Sequence, residues 1–249
     1  MLRKYSAVLV LGFSVSLMAD KYTELPGLAT LPSYDVQWAK GPITVDGSLS
    51  ESSWARAVAI TLIFPWESQT GKKQKTTVKL LRDQELLYVG YEAEDDDITA
   101  RYTQRDDPTY EEDCVEIFIR PGLDSENYVG MEMNARGTLF DYLYPFPKEL
   151  DKSFNLEGVQ LKTTQRGTLN QRNDHDQGWT LELAIPFKNF KTLTREVSSP
   201  RKHDRWRVQI NRWDGSEDSG GRRLSMWCHS GMKDTNPHNP ERFGFLNFP

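Results

Sequence analysis

The segment Asp113–Tyr144, DCVEIFIRPGLDSENYVGMEMNARGTLFDYLY, decides the fold of this chain. It contains three short runs rich in β-branched and aromatic residues, separated by turn residues, and this predicts three strands. Side chains alternate across a strand, so each run has an apolar face and an opposite face. The opposite faces of the first two runs carry Cys114, Glu116, Phe118, Arg120, Tyr128, Gly130, Glu132 and Asn134. Pairing these strands predicts a sheet with one face in a core and the other presenting carboxylates, an amide and aromatic rings.

Similar short runs recur along the rest of the chain and predict further strands. They cover residues 43–45, 76–81, 86–94, 158–164, 178–185, 206–213, 224–228 and 243–248. In the run 206–213, Gln209, Asn211 and Trp213 share a face, repeating the amide and aromatic chemistry of the central strands. One helix is predicted, because Ser48 and Glu51 have capping-box spacing just before Trp54. The sequence therefore predicts an all-β fold, a two-sheet antiparallel β-sandwich with one short N-terminal helix.

Composition limits the classes of partner. The chain has 249 residues, a net charge of -5 and a pI near 5.5. Binding to phosphates depends on clustered Lys and Arg, so nucleic acid is not expected as a partner. A single domain that buries a sizeable core fits this length.

The first residues predict export. Arg3 and Lys4 precede an apolar run that ends at Met18 and Ala19, which is the layout of a signal peptide over residues 1–19. A buried N-terminal strand and a lipid-facing anchor are the alternatives. Residues 20–41 are interpreted as a tether and residues 42–249 as the domain. No other stretch approaches the ~20 apolar residues of a membrane span, so no membrane span is expected.

Two further features leave alternatives open. Cys114 and Cys228 either form one disulfide, which the oxidising compartment of an exported protein permits, or remain two buried thiols. Asp95, Asp96 and Asp97 offer oxygen ligands to calcium, but their spacing lacks the alternation of an EF-hand loop. A solvated acidic turn is the favoured interpretation of this run.

Three blocks of sequence together resemble the family 9 carbohydrate-binding modules and the family 9-like domains of exported bacterial proteins. They are Val45-Asp46-Gly47 followed by Trp54, the run 110–119 (YEEDCVEIFI), and the run 239–244 (NPERFG). The runs 86–89 and 178–186 are also similar, so the resemblance covers nearly everything from Pro42 to Phe248.

The resemblance implies a β-sandwich that holds a glycan chain end, or a mono- or disaccharide, between two aromatic platforms. By motif, the first platform is Tyr110, and the polar residues are Glu116, Glu132, Gln209 and Asn211. Pro237, next to His238, replaces the second tryptophan, and Glu132 replaces an arginine, so the resemblance alone does not predict the glucan-end preference of the family for this chain. Some members bind calcium, which raises the odds of calcium at the acidic run here, and no cofactor is expected to be required.

The residues themselves suit a sugar, which needs planar rings for its C–H faces and carboxylates or amides for its hydroxyls. The set with this chemistry is Tyr110, Glu116, Glu132, Asn134, Gln209, Asn211 and Trp213, with Trp227 and His238 at its edge. The structural alternatives are that Trp213 and Trp227 are core residues, and that the glutamates pair with Arg120 or Arg136.

Two other functions are considered. Glu116 and Glu132 could be the acid and base of a glycoside hydrolase, in which case the carboxyl groups should lie ~5 to 10 Å apart across a cleft. A b-type haem could be held by Met131 or Met133 with one of the histidines, at positions 175, 203, 229 and 238. The favoured prediction is a non-catalytic, exported carbohydrate-binding domain that works beside polysaccharide-degrading enzymes.

Overall fold

The computed structural model describes residues 30–122, 127–145, 148–194, 199–215 and 221–249. The expected signal peptide and residues 20–29 of the expected tether lie outside these ranges. Within them, no helix has the length and apolar character needed to cross a bilayer.

Nearly all regular structure in the described residues is strand. The strands are β1 (Ser33–Asp35), β2 (Gln37–Trp38), β3 (Ile60–Thr61), β4 (Thr76–Arg82), β5 (Leu86–Ala93), β6 (Cys114–Arg120), β7 (Tyr128–Asn134), β8 (Leu139–Tyr144), β9 (Gln160–Arg166), β10 (Gly178–Pro186), β11 (Arg205–Asp214), β12 (Arg223–Met226) and β13 (Gly244–Asn247). Two short helices are α1 (Ser52–Arg56) and α2 (Lys191–Thr194), and 3-10 turns occur at Thr109–Glu111, Phe187–Phe190 and Pro240–Arg242.

The strands form two sheets. The first has the order β1-β13-β11-β6-β7-β8, with β12 also paired to β11. The second has the order β2-β4-β5-β10-β9, with β3 paired to β4. The expected sandwich is confirmed, and its pairs are antiparallel except for β1 with β13 and β2 with β4. These two parallel pairs use residues 33–38, which lie inside the segment interpreted as a tether, so the sandwich begins before residue 42.

The core lies between the sheets and contains the apolar faces that the sequence predicts. Ile117 and Met131 are in register on neighbouring strands of the first sheet and are fully buried. On the second sheet, Leu80, Val89 and Leu183 are in register and also fully buried. Burying one such side chain stabilises the fold by roughly 1.5–3 kcal/mol, so this layer dominates the stability.

The two cysteines are buried, unpaired thiols. Cys114 lies on β6 and Cys228 follows β12, both in the first sheet or at its edge. Of the two alternatives left by the sequence, the structure has the pair of buried thiols.

The N-terminal helix forms, but the capping-box prediction is wrong. No side chain caps α1, and Glu51 Oε1 instead accepts a hydrogen bond from the Thr44 amide at 2.9 Å. The predicted strand 43–45 is also wrong, because this segment bonds to side chains rather than to a neighbouring strand. Trp54 lies in the interior, and its Nε1 donates to Glu182 Oε1 at 3.0 Å.

Candidate functional site

The outer face of the first sheet carries a row of four aligned side chains. Asn211 on β11 is in register with Glu116 on β6, Glu116 with Glu132 on β7, and Glu132 with Phe140 on β8. Residues directly opposite on antiparallel strands have Cβ atoms about 4.5–5.5 Å apart. The alternation of the sequence thus places these polar groups side by side, as expected.

A cavity of about 290 Å³ opens above this row. This volume lies just below the range of about 300–1,000 Å³ typical of small-ligand sites. Its lining combines aromatic and acidic side chains from the sheet with residues from a 3-10 turn and three loops, and both basic residues come from the loops. The lining residues are Tyr110, Glu116, Glu132, Phe140, Leu150, Lys152, Trp213, Arg222, Thr235, Asn236, Pro237 and His238.

Two buried glutamates form the floor of the cavity. Glu116 is 2% exposed and Glu132 is 4% exposed. Glu116 Oε2 accepts a hydrogen bond from Asn211 Nδ2 at 3.2 Å, and Glu132 Oε1 accepts one from Tyr142 Oη at 2.9 Å. Glu132 Oε2 is buried and has no described hydrogen-bond partner. A buried polar atom without a partner costs about 1–3 kcal/mol, so this oxygen is the natural contact for a ligand.

Burial sets the ionisation of this pair. Loss of solvation raises the pKa of Glu116 to about 7, against the opposing effects of Arg222 and of hydrogen bonds from Asn211 and Trp213. Burial, reinforced by the charge of Glu116, raises the pKa of Glu132 well above its usual range. Burial therefore favours the protonated form of Glu132, which can donate a hydrogen bond as well as accept one.

Aromatic rings form the walls. Tyr110 sits in the 3-10 turn Thr109–Glu111, which is fixed to the floor because Thr109 Oγ1 donates to the Glu132 carbonyl at 3.0 Å. The Tyr110 ring is tilted against Phe140 with centroids 5.6 Å apart, and both rings line the cavity. Trp213, at the end of β11, is half-buried and lies on the other side of the row.

Two cations line the same cavity. Arg222 stacks over the Trp213 ring at 4.4 Å, and Lys152 Nζ lies 5.4 Å from the centroid of Phe140. Arg222 donates to the carbonyl oxygens of Tyr110 and Gly215. Among the described residues, neither cation forms an ion pair with a carboxylate.

The loop before β13 closes one end of the cavity. Pro237 and His238 both line it. The His238 ring stacks on Phe118 at 4.8 Å with an interplanar angle of 12°, and its Nδ1 is 2.7 Å from Tyr128 Oη. Desolvation lowers the pKa of His238 to about 4, so the ring is neutral at pH 7. This loop therefore contributes shape and a neutral ring rather than charge.

The structure brings together five of the nine side chains named from the sequence. The residues that line the cavity are Tyr110, Glu116, Glu132, Trp213 and His238. Asn211 supports the site from beneath through its bond to Glu116.

The other three named side chains point to protein partners. Asn134 Nδ2 donates to Glu112 at 2.7 Å, and Gln209 Nε2 donates to the Cys228 carbonyl at 2.7 Å. Trp227 lies against Gly244 and the core. The ion pairs considered for the glutamates do not form, because Arg120 pairs with Glu241 at 2.8 Å and Arg136 donates to the Ala100 carbonyl.

Seven lining residues are not among the nine side chains named from the sequence, and three of them carry a ring or a charge: Phe140, Lys152 and Arg222. Phe140 has a usable signal, since it shares the outward face of the third strand in the central segment. Lys152 and Arg222 lie in loops, where charged residues usually face solvent and no periodicity marks their direction.

The acidic run does not fit a calcium site. Asp95 points inward and bonds to Arg212 at 2.9 Å, whereas Asp96 points outward and pairs with Lys72 at 2.7 Å. Asp97 keeps one buried oxygen without a partner, but calcium needs six to eight oxygen ligands. In the described part of the chain, the three carboxylates that do converge are Asp95, Asp113 and Asp214, and Arg212 already bonds two of them.

A protein family with a known type of ligand matches most of the chain. The model of the family described as "carbohydrate family 9 binding domain-like" matches residues 45–248. The chain belongs to this family. No curated protein matches the sequence.

Solved structures share the fold. A candidate carbohydrate-binding protein from Bacteroides uniformis ATCC 8492 is 15% identical, with 88% of this chain and 100% of that chain covered and a TM-score of 0.74. A family 9 carbohydrate-binding module from Caldicellulosiruptor kristjanssonii, in complex with cellotriose, is 18% identical, with 87% and 93% covered and a TM-score of 0.57. A structure of a module from the same organism in complex with glucose gives a TM-score of 0.56 at 18% identity, with 87% and 95% covered.

Family membership makes this chain a non-catalytic carbohydrate-binding domain. The geometry agrees, because Glu116 and Glu132 lie side by side on the cavity floor rather than facing each other across a cleft. The haem alternative placed Met131 and Met133 as ligands, but both side chains are fully buried in the core between the sheets.

Proposed function

We propose that the cavity above Glu116 and Glu132 binds the end unit of a glycan, or a mono- or disaccharide. The observation that carries this assignment is the buried, unpartnered Oε2 of Glu132 at the floor of a cavity with aromatic walls. A sugar hydroxyl would satisfy that oxygen, and the C–H face of the ring would pack on Tyr110. The small volume favours one or two sugar rings over a long chain segment.

The proposed biological role is binding outside the cytoplasm in support of polysaccharide breakdown by separate enzymes. The layout of residues 1–19 supports export, because it has the charged start, apolar run and small residues of a signal peptide. Membership of a carbohydrate-binding family supports a role beside such enzymes.

The test is binding of a panel of mono- and disaccharides to the purified chain by calorimetry, after a glycan-array screen. Tyr110→Ala should weaken binding by about two- to tenfold, since an aromatic contact contributes about 0.5–1.5 kcal/mol beyond its buried area. Tyr110→Phe is the matched control, because it keeps the ring and should bind as the unaltered protein does.

Glu132→Met provides an independent variant, since it keeps the volume of the side chain and removes both oxygens. Loss of a hydrogen bond of this kind should weaken binding by about tenfold. A melting curve for each variant separates loss of binding from loss of folding. Saccharide binding that survives both Tyr110→Ala and Glu132→Met would place the site elsewhere on the molecule.

A further inference from the structure

We propose that the saccharide bound in this cavity carries an anionic substituent, a uronate carboxylate or a sulfate ester, which contacts Arg222 and Lys152. This inference rests on the proposed function and specifies the class of sugar. It depends on the position of the two cations, on their lack of carboxylate partners and on the reduced negative charge of the cavity floor.

Arg222 is held in place with donor capacity to spare. Its Nε donates to the Gly215 carbonyl at 3.2 Å, and its Nη2 donates to the Tyr110 carbonyl. Stacking on Trp213 fixes the plane of the guanidinium. Within the described chain Nη1 has no hydrogen-bond partner. A planar guanidinium that is already oriented loses little freedom when it binds a carboxylate or a sulfate.

Lys152 approaches the cavity from the opposite side. It lies beside Phe140 of β8, while Arg222 lies beside Trp213 of β11, so the row of Asn211, Glu116 and Glu132 runs between the two cations. The Lys152 side chain is exposed and makes no ion pair within the described residues. It can therefore move toward a ligand without breaking an ion pair.

The floor does not neutralise these two charges. Glu116 and Glu132 are the carboxyl groups in the lining, and His238 is neutral. Burial raises the pKa of Glu132 well above its usual range and that of Glu116 to about 7, so both carboxyl groups carry less negative charge than exposed ones would. The lining thus has an excess of positive charge and of hydrogen-bond donors, a combination that suits an acceptor-rich anion better than an uncharged hydroxyl.

The experiment compares sugars that differ only at C6. Binding to the full chain is measured by calorimetry with glucose, glucuronic acid and glucose 6-sulfate, and with the corresponding galactose series. Each titration is done at low salt and in 0.5 M sodium chloride, a concentration at which charges are screened beyond about 4 Å. At least one anionic form should bind about tenfold more tightly than its neutral counterpart at low salt, and the advantage should shrink at high salt. Tighter binding of the uronate than of the sulfate ester identifies a carboxylate ligand, and the reverse identifies a sulfated one.

Lys152→Gln should lower affinity for the anionic sugar about fivefold more than it lowers affinity for the neutral sugar. Lys73→Gln is the matched control, because Lys73 also lies over a phenylalanine ring, 5.8 Å from Phe64, and does not line the cavity. Neutral sugars that bind as tightly as anionic ones, with no effect of Lys152→Gln, would overturn the anionic assignment and leave carbohydrate binding intact. Failure of both series and of the wider saccharide panel to bind would contradict the proposed function itself and this inference with it.

Discussion

Burial raises the pKa of Glu116 from its usual 4.5 to about 7, and this makes it the residue most sensitive to pH in the cavity. Arg222 stabilises the charged form, and Asn211 and Trp213 donate to it, yet these contacts do not offset the loss of water. A carboxyl whose pKa is higher in the folded state binds its proton more tightly when folded. Its contribution to stability is complete below pH 4.5 and is lost as the pH rises through about 7.

Glu116→Gln should therefore reduce the loss of stability between pH 5 and pH 8. The pKa shift of Glu116 corresponds to a free energy of unfolding on the order of 3 kcal/mol, which the unaltered protein loses over this interval and the variant retains. Urea denaturation of both proteins at the two pH values gives the change in the free energy of unfolding for each. The difference between the two changes reports Glu116 alone, because His229 and the other titrating groups are common to both proteins. Equal pH dependence in the two proteins would show that Glu116 is ionised normally in the folded state.

The pairing of β7 with β8 fixes the floor of the cavity through a glycine. Gly130 is in register with Tyr142, and the Tyr142 ring lies directly over the glycine Cα. A Cβ at position 130 would overlap the ring and its hydroxyl. Tyr142 is fully buried and donates to Glu132, so the absence of a side chain at position 130 is what allows Glu132 to be held in place.

Gly130→Ala should destabilise the protein by about 1–3 kcal/mol, the usual cost of overpacking a close-packed site. It should also weaken saccharide binding, because Tyr142 can no longer support Glu132. Urea unfolding measures the first effect and calorimetry the second. In a Tyr142→Ala background the same substitution has room for its methyl group and should cost less than about 0.5 kcal/mol. A full penalty in that background would mean that the clash lies elsewhere.

Strand alternation was enough to place the acids and amides on one face, because the two-residue period is a local property of the chain. It could not show which of these side chains remain available to a ligand. Asn134 and Gln209 share that face, but their amides are used by Glu112 and by the Cys228 carbonyl, contacts that depend on how distant loops pack. Lys152 and Arg222 were missed for the same reason. The short parallel strands β1 and β2 have too few residues to show a period.

At the scale of the whole molecule, Arg212 connects the two sheets. It extends from β11 of the first sheet into the interior and donates to Asp95 and to the Glu94 carbonyl, which follow β5 of the second sheet. It also bonds Asp214 at 2.9 Å. Burial raises the pKa of Asp95 and Asp113, while the charge of Arg212 opposes this. An arginine at an inward-facing position breaks the apolar pattern of β11. It is tolerated there because acidic side chains from other segments of the chain pair with it.

Removing Arg212 should leave the three converging carboxylates without a cation. Arg212→Ala should destabilise the protein by about 3–5 kcal/mol, the cost of breaking a buried ion pair from one side. The carboxylate oxygens of Asp95, Asp113 and Asp214 lie within 4.8 Å of one another, so the variant should gain a site for a hard cation. Melting curves with calcium chloride and with a chelator should then show calcium-dependent recovery in the variant, since a ligand of the folded state stabilises it. The unaltered protein should melt at the same temperature in both solutions, because Arg212 supplies the positive charge; a calcium-dependent rise there would instead support a metal at the acidic run 95–97.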